Sequence, residues 1–505
     1  MSEKRIVDLV QKSAPTANDF LAIDNGSDPA TKKLPASYIM NKGGALYYDD
    51  SESELQLLDT AGGEVLSSVI ISGGATEIFT INISTTETSL FGKTVTATYD
   101  TSKTKTATIS NLGAATIVIA NYIGEVALSA SDGTDVATAT VTTVSGTATY
   151  AATLSFAQIY GISWDGGPGS AWTRTDAAEL FADPSPAVNN GDGSSPFDNI
   201  LPWSGMEIVD DATAGKLVKI PKYYYKWTKT GAAMTLQISS KTFDGAHVSP
   251  AHADRGDGTG ERDFVYVGRY HCATSTYKST TGVSPQASVT RANFRSSIHN
   301  LGSDIWQYDF AMYWTIMMLY LVEYADWNSQ AKIGYGCSDS GSVQNSGLTD
   351  SMLYHTGTSA PNRTTYGHVQ YRHIEDLWAN VYDWCDGIYF AGSDVYVINN
   401  PTNFSDTSGG TKVGVRSTTS NDIKSFFVPT VTGLEWALYP DETISDSNYS
   451  TYVCDRCYYS ASGVVLCVGG YCNQNQSHGA FCMVGYYAAS SSGASIGSRL
   501  QKLPN

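Results

Sequence analysis

The stretch Ile374-Glu375-Asp376-Leu377-Trp378-Ala379-Asn380-Val381-Tyr382-Asp383-Trp384-Cys385-Asp386-Gly387 decides how the larger part of this chain is read. Its first half, Ile374–Val381, reads as a helix. Its second half sets Asp383 and Asp386 around a buried-type Trp-Cys pair, an arrangement that fixes a loop more often than it catalyses. Aromatic side chains crowd the same region, and all ten tryptophans lie from Trp164 onward. Further helices are expected at Thr175–Phe181 and Phe310–Tyr324, with short strands and Gly/Ser/Asn-rich loops between them. Residues 151–505 therefore read as one large α+β domain with long functional loops.

At 505 residues the chain is longer than one ordinary domain, since domains hold roughly 100–200 residues. Its formal net charge of -18, with no Lys/Arg cluster, excludes nucleic acid as a partner, because phosphate recognition needs a basic face. The same charge disfavours anionic membrane surfaces. Met1–Ser13 lacks the apolar core of a signal peptide. Phe310–Val322 is too short to span a bilayer and is broken by Thr315, so no membrane insertion is expected and the run reads as a core helix.

Upstream, residues 1–42 are polar and broken at Pro15 and Pro35. Asn18–Gly26 reads as a short strand followed by an Asn-Gly turn, and Lys32–Ser37 as a second extended piece leading into a short helix, in an adaptor too small to fold alone. Residues 43–72 hold strands around Leu46–Tyr48, Leu55–Leu58 and Val65–Ile71. Such a hairpin or β-prism-like piece gains a core by packing on copies of itself. Residues 73–150 turn Thr/Ala/Val-rich, with strands at Ile78–Ile83, Thr94–Tyr99, Thr104–Ser110, Ala115–Ile119, Glu125–Ser131 and Val136–Val144. Their spacing argues for an immunoglobulin-like β-sandwich that serves as a spacer. The fold class is thus multidomain, all-β first and α+β after.

The chemistry-bearing residues are few. Five of eight cysteines fall late, with Cys454 and Cys457 in a C-x-x-C. No second close pair completes a zinc ribbon, and no βαβ unit supports a redox role. Reduced thiols in surface loops are the expectation. His247 and His252 flank a proline-containing tetrapeptide and read as loop residues. No phosphate loop, H-E-x-x-H or G-x-S-x-G is present, so no enzyme and no cofactor are expected.

From Val453 to Ser498 only Asp455 and Arg456 carry formal charge. Tyrosine supplies amphipathic contact area at low entropic cost, and Ser, Asn and Gly supply adaptable hydrogen bonds. Cys454, Asp455, Tyr458, Tyr459, Tyr471, Asn473, Ser477, His478, Tyr486, Tyr487, Ser490 and Ser492 are the candidate contact residues, over an aliphatic framework that includes Val465, Leu466, Val468, Phe481 and Met483. The paired tyrosines are the candidate hot spots.

Several stretches resemble known proteins. Ile159–Asp165 with Ala171–Arg174, and Lys219–Trp227, resemble phage-type C-type lectin domains. The opening stretch resembles the G-N-V-x-E-W signature shared by these folds and formylglycine-generating enzymes, with Ala379 for the usual Gly and Asp383 for the usual Glu. Gly463–Gly470, Gly479–Phe481 and Ile496–Leu500 resemble the variable region of proteins diversified by retroelements, the group that includes the major tropism determinant of a phage. Arg5–Leu9, Asp19–Gly26 and Lys33–Ala36 are similar to N-termini of phage fibre proteins.

The resemblance implies a virion adhesin, in a tail fibre or on the capsid, made in the host cytoplasm. Residues 1–42 would join other virion proteins. The chain would form a homotrimer. Its head would bind a host-surface protein or glycan through the twelve residues above, exchanged by a diversity-generating retroelement. It also leaves room for a structural Ca²⁺ ion. An enzyme on the same fold, oxidase or surface-glycan hydrolase, and a structural decoration protein are the alternatives.

Overall fold

The structure is a computed structural model. It describes residues 78–505 apart from 134–135, 446–449, 475 and 505, and before residue 78 only the backbone of six strands. β-Sheet dominates, and the chain divides into two compact units, Met1–Phe156 and Ala157–Asn505.

In the first unit, Ile6–Val7, Phe20–Ile23 and Lys32–Pro35 form one three-stranded sheet. Gly44–Asp49, Glu54–Asp59 and Val65–Ile70 form a second. The short helix expected after Ser37 lies outside the described residues. Residues 78–156 are a two-sheet sandwich. One sheet orders Ala114–Ala120, Ile78–Ser84 and Thr149–Thr153; the other orders Val136–Thr143, Gly124–Ser131, Thr94–Tyr99 and Lys103–Thr108. Strict alternation sends Ile81, Ile83, Val95, Ile117, Val126 and Leu128 into the shared core. The unit extends beyond residue 150 because Thr149–Thr153 pairs parallel with Ile78–Ser84, Thr149 opposite Thr80.

The second unit is organised around the helix Phe310–Tyr324, all of whose residues are buried. Asp309 caps its N-terminus by accepting the Met312 N–H at 2.8 Å, and Ala325 ends it in the left-handed region. The helix lies in a core to which several sheets contribute. One sheet joins Thr173–Asp176, Tyr160–Trp164, Ala233–Ser239, Tyr224–Thr230 and His247–Val248. A mixed seven-stranded sheet orders Tyr439–Ile444, Asn421–Phe427, Arg456–Tyr459, Met483–Tyr487, Val465–Val468, Tyr382–Cys385 and Ile496–Gly497.

Two expected helices are absent. Thr173–Asp176 is a strand that pairs with Tyr160–Ser163 and then turns, with Asp176 at φ 56°. Ile374–Val381 is a two-residue strand, Ile374–Glu375, followed by an irregular turn in which Asp376, Ala379 and Asn380 all take positive φ. The turn's backbone groups find distant partners: the Ala379 N–H donates to Gly469 O at 2.6 Å, and Asn380 O accepts from Cys472 N at 3.0 Å. Ala379, at φ 72°, occupies the position where the resembling signature carries glycine, the residue that adopts this conformation without strain.

Candidate binding surface

The strand Tyr382–Cys385 from the opening stretch runs between the late strands Val465–Val468 and Ile496–Gly497. Trp384 lies opposite Cys467, and Tyr382 opposite Ile496. Pleating splits these strands between two cores. Leu466, Val468, Met483 and Cys457 face the large core around the long helix. Val465, Cys467, Val484, Tyr382 and Trp384 face a smaller core closed by Phe294 and Ile298 of the helix Arg291–His299. Tyr458, Tyr471 and Tyr487 are half-buried against that smaller core.

Each tyrosine is fixed by its neighbours. Tyr471 packs on Tyr382 with ring centroids 5.1 Å apart, and Tyr487 meets Trp384 edge-on at 5.7 Å. Tyr458 stacks on His478 at 5.5 Å. Tyr459 is half-buried too, but its pleat position turns it to the other face. There Arg416 lies 4.7 Å from its ring centroid and 4.1 Å from that of Phe390. The adjacent tyrosines 458 and 459 therefore do not form one hot spot. Tyr486 is 54% exposed, and Asn473, Ser490 and Ser492 are exposed.

The remaining candidates are corrected. Cys454, Asp455, Ser477 and His478 are all buried, at 2–3% exposure, and present nothing to a partner. Asp455 is a staple: its two oxygens accept the N–H groups of Gly479 at 2.6 Å and Phe481 at 2.8 Å. A Cβ at Gly479 would sit 2.6 Å from Ser329 Oγ and 2.9 Å from Asp455 Oδ1, so a side chain there would have to displace the staple. Ser477 Oγ and His478 Nδ1 hydrogen-bond each other at 2.6 Å. All eight cysteines are buried free thiols, and burial pushes Cys454 and Cys457 up to about 12. The late cysteines are thus small core residues, not surface-loop thiols. His252 is likewise internal, between Ser249 Oγ at 2.6 Å and Ile220 O at 2.9 Å.

Two arginines missing from the candidate residues hold the surface from below. Arg499, fully buried, donates to Asp383 Oδ2 at 2.9 Å and to the carbonyls of Gly268, Glu375 and Asp376. Arg416 donates to the carbonyls of Gly392, Gly463, Ser460 and Gly485, and so clamps the turn between two late strands. Asp386 is closed by Arg295 at 2.6 and 2.9 Å. Asp383 and Asp386 both act as structural anchors.

Among the described residues one group of three, His368, Glu375 and Asp376, has metal-ligand spacing. Its carboxylate oxygens are already engaged, while His368 Nε2 is buried without a hydrogen-bond partner. Asp376 accepts from His368 Nδ1 at 2.7 Å and Val369 N at 3.3 Å. Glu375 accepts from Gly347 N, Thr349 N and Thr349 Oγ1. An imidazole donor beside saturated carboxylates does not suit Ca²⁺, which takes six to eight oxygens.

Asp455 and His478 titrate in opposite senses. Burial raises the Asp455 carboxyl to about 7. The folded state then holds its proton more firmly than the unfolded chain, and this contribution to stability is lost as pH rises from about 4 to about 7. Burial lowers His478 to about 3, as it lowers His252 to about 4 and His373 to about 3. Their contribution is present above about 6.5 and lost as pH falls. Asp383, Glu375 and His368 shift in the same sense as Asp455; Asp455→Asn removes one of these opposing groups, worth up to ~4 kcal/mol. Melting curves at pH 4.5 and 7.5 should show steeper acid destabilisation in this variant than in the parent; parallel profiles would refute the assignment.

No family model matches the chain, and no curated protein matches it. Among solved structures, a DUF3823 family protein from Parabacteroides merdae ATCC 43184 is similar over 34% of this chain and 79% of its own, at 9% identity and a TM-score of 0.13. A likeness of that size carries no argument about fold or function.

Proposed function

We propose that this chain is a phage virion adhesin whose 157–505 unit, a C-type lectin-like head, binds a host-surface protein or glycan through the face carrying Tyr458, Tyr471, Asn473, Tyr486, Tyr487, Ser490 and Ser492. The observation that carries the reading is the division of labour within 453–498. Tyrosines and small polar residues are partly or fully exposed on strands and loops whose backbone is held by buried anchors. Half-buried aromatics with fixed rings lose little entropy on binding, which is the physical basis of paratope tyrosines.

On this reading residues 1–42 attach to other virion proteins, 43–72 support a trimer, and the sandwich is an immunoglobulin-like spacer. Many weak heads would then act together by avidity. A retroelement would exchange the outward positions and leave Asp455, Gly479 and the cysteines alone. Labelled full-length chain added to candidate host cells should bind saturably and be displaced by unlabelled chain. Uptake that never saturates on any host of the phage would sink the proposal. Deleting 451–495 is a poor test, since it removes three strands of the seven-stranded sheet.

A further inference from the structure

Asp376, His368 and Cys337 stand in series beside the left-handed turn of the opening stretch, and the adhesin reading uses none of them. His368 is buried and donates from Nδ1 to Asp376 Oδ2 at 2.7 Å. Asp376, buried as well, is fixed in turn by Asn380 Nδ2 and Val369 N, each at 3.3 Å. The other ring nitrogen, His368 Nε2, is buried and has no partner.

The backbone sets Cys337 next to this imidazole. Gly367 N–H donates to Gly336 O at 3.2 Å, so the chain at Cys337 runs beside the chain at His368. Gly336 lies close against the turn, since a Cβ there would fall 2.8 Å from that of Ala379. Thiol and imidazole shift each other's titration, with no directed hydrogen bond to Nε2. Burial works against the charge on His368, but Asp376 and then Cys337 more than offset it and hold the imidazole protonated well above its usual range. Burial pushes the Cys337 thiol up, and His368 opposes that rise.

The other thiols lack this setting. Cys272, Cys385, Cys457, Cys467 and Cys482 are packed within the apolar cores, and Cys337 is not. None of the remaining seven has an imidazole among the groups acting most strongly on its thiol.

An imidazolium N–H beside a thiol favours the thiolate and can hand a proton to a leaving group. At 3% exposure the thiol admits only a small reagent. Solvent is near, because Asp339 and Ser340, just beyond it in the chain, are exposed. We infer that Cys337, with His368 as its proton donor, is a thiol centre that reacts with hydrogen peroxide. The thiolate sulfur attacks one peroxide oxygen; the S–O bond forms and the O–O bond breaks. The sulfur is oxidised to a sulfenic acid, the peroxide is reduced, and the departing hydroxide takes the Nε2 proton of His368 and leaves as water. A low-molecular-weight thiol returns the centre to its reduced form: two such thiols are oxidised to one disulfide, and the sulfenic oxygen leaves as water.

The test treats reduced full-length chain with limiting hydrogen peroxide, traps sulfenic acid with dimedone and maps it by peptide mass spectrometry. Cys337 should be labelled about tenfold or more faster than each of the other seven cysteines. Cys472 is the matched control, because at 4% exposure it is as accessible and has no imidazole acting on it. His368→Gln should slow the labelling of Cys337 by about a hundredfold, the worth of a positioned proton donor. Cumene hydroperoxide, a bulky oxidant, should react about tenfold or more slowly than hydrogen peroxide. Cys472 labelled as fast as Cys337 would overturn the proposal. So would labelling of Cys337 only once the unit melts, or at an unchanged rate in the His368 variant. Cumene hydroperoxide reacting as fast as hydrogen peroxide would overturn the assignment to a small oxidant. The parent chain alone decides between Cys337 and Cys472, whatever the variant does to folding. The measurement uses no cells, so it stands or falls independently of the adhesin reading.

Discussion

Arg499→Leu should destabilise the 157–505 unit by about 3–5 kcal/mol, the typical result of stripping one partner from a buried ion pair. The guanidinium is fully buried, and its loss leaves the Asp383 carboxylate, itself 3% exposed, without its cation. Asp383 Oδ1 already lacks a hydrogen-bond partner. The neighbouring His271, 3.6 Å away, is a poor substitute, because burial, the larger cause of its low imidazole pKa, stays in place when Arg499 is removed. Three backbone carbonyls lose donors as well. Melting should fall by on the order of 10 °C. Adding Asp383→Leu should restore much of that loss, since an apolar pair avoids the uncompensated charge. A double variant no more stable than the single one would contradict this.

Arg416→Met should have the second largest effect, about 3 kcal/mol, with a local signature. No carboxylate pairs with Arg416 among its described hydrogen bonds; carbonyls of Gly392, Ser460, Gly463 and Gly485 surround it. Methionine keeps the packing on Phe390 and leaves those carbonyls without their donor. Gly463 sits tightly on the next strand, since a Cβ there would fall 2.1 Å from Gly485 O. Losing the clamp should free the 460–463 turn first. Hydrogen exchange should quicken at the Val464 and Gly463 amides, which donate to Tyr487 O and Ser460 O. Uniform acceleration across the unit would contradict a local clamp.

Local pattern revealed what local physics determines. The six sandwich strands were legible because alternation and turn residues agree with the sheets. The seventh, Thr149–Thr153, is short and rich in small residues, and only its parallel pairing to Ile78–Ser84 defines it. The helix Phe310–Tyr324 was legible from its apolar run. Ile374–Val381 was not, because the turn is made by bonds from residues 344, 469 and 472, nearly a hundred positions away at the farthest. No glycine marks its left-handed residues.

The candidate surface shows the same boundary. Composition sets the segment apart, and within it Tyr486, Asn473, Ser490 and Ser492 are exposed. Composition cannot assign a face, so buried Asp455 and His478 were grouped with exposed Tyr486. Tyr458 and Tyr459 were paired although the pleat sends them apart. Arg416 carried no signal at all, being a lone arginine between Val415 and Ser417.

The most direct test of the adhesin reading replaces only outward side chains. Full-length chain carrying Asn473→Ala, Tyr486→Ala, Ser490→Ala and Ser492→Ala should melt with the parent, because surface changes of this kind stay within about 0.5 kcal/mol each. Its adsorption to host cells should fall by about tenfold or more, as when a tyrosine hot spot is truncated. Unchanged adsorption together with unchanged melting would show that this face does not bind the cell.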